Sequence, residues 1–63
     1  FPQLSQPEQN LLELLRAHSE GLQINQIVIA LDIPVSKIMP LLFELEMKNL
    51  VRAVAGGNYR AVV

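Results

Sequence analysis

The 63-residue sequence contains no cysteine. A disulfide scaffold and a cysteine-based zinc site are therefore excluded, and zero cysteine is compatible with a reducing compartment. Its one histidine, His18, has no ligand partner at a metal-binding spacing, so neither a metal nor a cofactor is expected. Enzymatic chemistry finds no footing: Ser5, Ser19 and Ser36 have no base placed beside them, and no helical His/Glu pair occurs. Basic residues are few. Arg16, Lys37, Lys48, Arg52 and Arg60 stand against six carboxylates, a formal net charge of −1, whereas a DNA-binding module usually carries a clustered basic footprint and a high pI. Unbroken apolar runs fall far short of the ~20 residues that span a bilayer. No basic segment leads into an apolar one as in a secretory signal. These absences lead to the expectation of a non-enzymatic, cytoplasmic domain that meets no membrane.

What is present is apolar, at 51% of residues. A chain this short buries only roughly 60% of its unfolded surface, and such an apolar share supports one compact core. The sequence opens on Phe1, from which we expect a domain excised from a longer protein, with residues 1–4 a linker remnant and 5–63 the domain. Ser5-Gln6-Pro7-Glu8 reads as a capping box: Ser5 caps, Glu8 takes the third helical position, and Pro7 is tolerated in the first turn. Leu11, Leu12, Leu14 and Leu15 then recur at helical spacing with Glu8, Glu13 and Arg16 facing out. That spacing predicts a first helix over about 6–18, followed by Gly21 at a positive φ.

Leu22-Gln23-Ile24 alternates as a very short strand would. Asn25 is expected to cap a second helix of about two turns, carrying Ile27, Val28 and Leu31. It is rich in β-branched residues, so packing must hold it. Asp32-Ile33-Pro34 ends it, and a turn of that length between short helices is the helix-turn-helix signature. A third helix is expected over about 35–48, with Ile38, Leu41, Leu42 and Leu45 as its core stripe. Asn49 suits the left-handed residue after its end, with Leu50 closing on Leu45. Pro40 falls near the fifth helical position and predicts a slight kink or a 3₁₀ first turn.

Beyond it, Val51-Arg52-Ala53-Val54 and Tyr59-Arg60-Ala61-Val62 alternate around Ala55-Gly56-Gly57-Asn58, the pattern of a β-hairpin. The order helix, short strand, helix, turn, helix, hairpin predicts a mainly α winged helix-turn-helix with the hairpin as wing. The runs Leu31-Asp32-Ile33-Pro34-Val35-Ser36-Lys37-Ile38, Leu41-Leu42-Phe43-Glu44-Leu45-Glu46-Met47-Lys48-Asn49-Leu50-Val51 and Gly57-Asn58-Tyr59-Arg60 resemble the C-terminal winged-helix domain of the DNA processing protein A (DprA/Smf) family. The opening Leu4-Ser5-Gln6-Pro7-Glu8-Gln9 fits it too, so the resemblance covers nearly the whole chain. Asn49 stands where that family often has glycine. The resemblance implies a parent protein that protects incoming single-stranded DNA during natural transformation and helps load the RecA recombinase. That work lies mainly in a Rossmann-like domain lacking here. The matching positions are core and turn residues, so no functional residue transfers with them.

Three functional readings remain open from the residues, one of them a purely structural cap that rigidifies the C-terminal end of the parent. In a helix-turn-helix the second helix of the motif enters the major groove, which would make Ser36 and Lys37 contacts there and Arg52 and Arg60 wing contacts to phosphate. The plainer alternative is that these are solvated surface groups. Proteins that grip duplex DNA commonly neutralise about 6–10 phosphates; five dispersed cations make any binding weak. The second reading starts from the far side of the third helix. At ~100° per residue, Met39, Pro40, Phe43 and Met47 fall opposite the core stripe, forming a protein-contact patch unless Met39 and Phe43 tuck under the hairpin. The partner would be another domain or protomer of the parent, or a recombination protein. His18 suits the end of the first helix, Tyr59 the edge of the core.

Overall fold

The computed structural model describes residues 3–63. Helix α1 spans Gln6–Arg16, strand β1 Leu22–Gln23, helix α2 Ile24–Leu31, helix α3 Val35–Met47, and strands β2 Val51–Val54 and β3 Asn58–Ala61 form the hairpin. This is the winged helix-turn-helix order expected from the sequence. The three strands make one antiparallel sheet in the order β1-β3-β2, with Leu22 opposite Tyr59 and Val51 opposite Ala61. The short first strand therefore closes the wing onto the helices.

One cluster fills the centre. Leu11, Leu12 and Leu15 of α1, Ile27 of α2, and Ile38, Leu42 and Leu45 of α3 are all below 2% exposed. Full burial of each such side chain contributes roughly 1.5–3 kcal/mol before ordering entropy is subtracted. Leu22 and Val51 tie the sheet to this cluster, and Tyr59 and Ala61 pack on its edge. Leu4, placed by the sequence among the leading linker residues, is buried in the same core.

The helix ends follow local chemistry. Ser5 caps α1, and the Ser5 N–H donates to Glu8 Oε1 at 2.9 Å, the expected capping box. Glu8 does not face out, however. It is buried, because its carboxylate also accepts from the Ser5 hydroxyl at 3.0 Å and from Lys48 Nζ at 3.2 Å. A paired and hydrogen-bonded carboxylate tolerates burial where a lone one would not. α1 stops at Arg16, earlier than the expected 18; His18 lies in the following turn, its Nδ1 3.0 Å from the Leu14 carbonyl.

Gly21 then turns at φ 90°, where an added Cβ would meet the Tyr59 carbonyl oxygen at 3.0 Å. Only glycine combines that backbone angle with so close an approach to β3. The cap of α2 is Gln23, not Asn25: the Gln23 N–H donates to Gln26 Oε1 at 2.9 Å, so the helix begins directly from the strand.

α3 ends in the expected closure. Asn49 is left-handed at φ 62°, the Leu50 N–H donates to the Leu45 carbonyl at 3.0 Å, and the Asn49 N–H to the Glu46 carbonyl at 3.0 Å. These two bonds are the Schellman pattern. Pro40 sits at the sixth helical position and the helix runs through it unbroken. The first turn is tightened: the Pro34 carbonyl accepts from both Lys37 N–H at 2.9 Å and Ile38 N–H at 3.1 Å, the former a 3₁₀-type bond. β3 begins at Asn58, one residue before the expected strand, because Asn58 already pairs with Val54. The hairpin loop is thus the three residues Ala55-Gly56-Gly57.

Candidate functional site

The same helix that supplies Ile38, Leu42 and Leu45 to the core carries a second apolar row on its outer side. Val35, Met39, Phe43 and Met47 are 50%, 46%, 60% and 68% exposed. Their spacing of four advances by about 40° per step, so they form one gently winding stripe along the full length of α3. Met39 and Phe43 are therefore not tucked under the hairpin. Pro40 and Ser36, both exposed, lie within the same arc. Val35 was not singled out from sequence. Its position four residues before Met39 was the available signal, masked by its place at the helix start.

The borders of the stripe are acidic. Helical projection places Glu46 beside Met39 on one side and Glu44 beyond Pro40 on the other. Glu44 is exposed and Glu46 half-buried. A phosphate backbone approaching this face would meet two carboxylates. A protein surface would meet an apolar ridge with a polar rim, the usual anatomy of a protein contact. Methionine suits such a ridge because its unbranched thioether adapts to an uneven partner.

The cations named as DNA contacts do not form one group with that stripe. Lys37 projects away from it. It lines a groove of about 430 Å³ with Pro7, Asp32, Ile33, Pro34 and Leu41, between the start of α1 and the turn of the helix-turn-helix. Arg52 and Arg60 face each other across β2 and β3. Among the described residues, the ion pair that forms is Lys48 with Glu8, joining the end of α3 to the start of α1. The Glu8 carboxyl is held below its ordinary value, chiefly by the Ser5 backbone N–H, against the opposing effect of desolvation and with help from the Ser5 hydroxyl and Lys48.

Comparison with known proteins gives a match to the DprA winged helix domain, over residues 2–57 of 63. The chain belongs to the DprA winged helix domain family. The match takes in all three helices, β1, β2 and the hairpin loop, and stops just short of β3. No curated protein and no solved structure compared with the chain gives a match. The winged helix expected from the sequence is thus shown by both the architecture and the family.

Proposed function

We propose that this DprA winged helix domain is a non-catalytic accessory module whose outer α3 stripe docks on protein. The contact is with another part of the DprA-type protein to which it belongs, in the same chain or in a second protomer. Such a protein, by the family resemblance, handles single-stranded DNA in natural transformation and helps load a recombinase in the cytoplasm. The observation that carries the reading is the exposure of Val35, Met39, Phe43 and Met47 together, between carboxylates. A helix that reads bases keeps polar side chains on the face it presents to the groove; this one presents two methionines, a valine and a phenylalanine.

The test is a titration of the isotopically labelled domain with the remainder of its DprA-type parent, followed by amide shifts. Perturbations should cluster on residues 35–47, and Phe43→Asp with Met47→Asp should abolish them. Contacts that survive the double substitution, or perturbations that avoid α3, would sink the proposal.

A further inference from the structure

Counted in sevens, the outer face of α3 shows a second order. Ser36, Pro40, Phe43 and Met47 recur at spacings of four, three and four, the rhythm of a helix–helix seam. All four are exposed, and they point roughly away from the core residues Ile38, Leu42 and Leu45. Lys37 and Glu44 border the seam on one flank, two turns and ~10 Å apart along the axis. Met39 and Glu46 border it on the other.

Charge is graded along this helix. Its first half holds Lys37 and no carboxylate, its second half Glu44 and Glu46. The ion pair found among the described residues joins Lys48 to Glu8 and engages none of these three. The first turn has neither an acidic residue nor a side-chain cap, so the positive end of the helix dipole is uncompensated. A partner charged with one sign would suit one half of α3 and be repelled by the other. A surface with the same gradient, reversed, suits both.

We propose that the occupant of this face is a second copy of the chain, its α3 lying antiparallel to the first about a twofold axis between Pro40 and Phe43. The proposal rests on the reading of the outer α3 face as a protein contact, and it names the partner. Antiparallel pairing sets Phe43 on Pro40 of the second copy and Met47 on its Ser36, each contact occurring twice. On the flank, Lys37 meets Glu44 of the second copy, again twice, because antiparallel helices bring like flanks together with their ends exchanged. Glu46 then stands beside the uncompensated start of the other α3, where a carboxylate is favoured. Parallel pairing would set Lys37 against Lys37 and Glu44 against Glu44, so charge selects the antiparallel form. The contact is small. A standard interface buries about 800 Å² per partner, more than one face of a 13-residue helix offers. Pairing of the separate chain is therefore weak and sensitive to salt.

Sedimentation equilibrium of the chain at low salt, up to ~1 mM, should show a monomer–dimer equilibrium. Amide shifts that depend on concentration should fall on residues 35–47, and Phe43→Asp should abolish both signals. Lys37→Glu and Glu44→Lys should each weaken pairing about tenfold, because two attractive flank pairs turn repulsive. Mixed in equal amounts, these two variants should pair as tightly as the unsubstituted chain, since opposite charges meet again at both ends. A chain that stays monomeric at ~1 mM, or a dimer that survives Phe43→Asp, would overturn self-pairing. So would single reversals without effect, the result expected of parallel helices, or a mixture no tighter than its components. The docking reading is decided separately, by titration with the rest of the parent protein. A chain that stays monomeric while α3 shifts in that titration overturns self-pairing alone.

Discussion

The two sides of α3 carry side chains of similar hydrophobicity and meet opposite fates. Ile38, Leu42 and Leu45 are sealed against α1, α2 and the sheet, whereas Val35, Met39, Phe43 and Met47 stand in solvent. The inner row is aliphatic and stiff, two leucines and an isoleucine. The outer row is half methionine. A core that must settle into one packing uses side chains with few conformers, and on the docking role proposed above the outer face would use flexible ones to adapt to its partner. Hydrophobicity alone would have assigned both rows to the core. Neighbours decide, and the small domain has only enough surrounding structure to cover one side.

The comparison breaks most visibly if the inner row proves dispensable. Leu45→Ala removes a fully buried side chain at the junction of α3 with the Schellman closure, and it should destabilise the fold by about 2–5 kcal/mol. Chemical denaturation reads this directly. A loss under ~1 kcal/mol would mean that the core repacks freely and that the inner and outer rows differ little in kind.

An intermediate effect is expected at the seam between α1 and α3, where burial rests on polar pairing. Glu8→Ala leaves the Ser5 N–H and Lys48 without their acceptor and should cost on the order of 1–2 kcal/mol. The sign of its pH dependence follows from the lowered carboxyl. A folded-state value below the ordinary 4.5 means that Glu8 contributes its stability above that pH, and the contribution is lost as pH falls below 4.5 and through the folded value. Glu8→Gln keeps an acceptor but removes the proton-linked step. Acid titration of stability should therefore be flatter in Glu8→Gln than in the parent chain. Parallel curves would show that other carboxylates govern the acid transition.

Much of the fold was legible because local rules and tertiary packing agree. The Ser5/Glu8 box, the Asp32-Ile33-Pro34 turn, left-handed Asn49 and the diglycine hairpin each announce an element boundary by chemistry that acts within a few residues. The misreadings arose where distant contacts intervene. Glu8 looks like a solvent-facing charge until Lys48, forty positions later, is brought to it. Leu4 looks like linker until the core closes over it. Asn25 is a better cap than Gln23 by type, yet β1 runs into α2 without a gap, so the cap falls on the strand's last residue. The outer stripe was legible as a projection but not as a surface. Whether Met39 and Phe43 are covered depends on where the hairpin lies, which no periodicity reveals. The register that opposes Arg52 to Arg60 was equally invisible, because it depends on loop length.

The smallest effect is expected on the outer row, and it sharpens the comparison most. Phe43 is more than half exposed and donates no contact that the core requires, so Phe43→Ser should change stability by no more than ~0.5 kcal/mol. Helix propensities of phenylalanine and serine are similar, which removes the backbone as a confounding source. The same substitution should reduce docking to the parent protein severely, since a large aromatic near the centre of an apolar ridge is the side chain whose truncation usually costs binding most. Stability and binding are then separated at one residue. A destabilisation of ~2 kcal/mol or more would place Phe43 with Leu42 as structural, and the division between the two sides of α3 would fail at its centre.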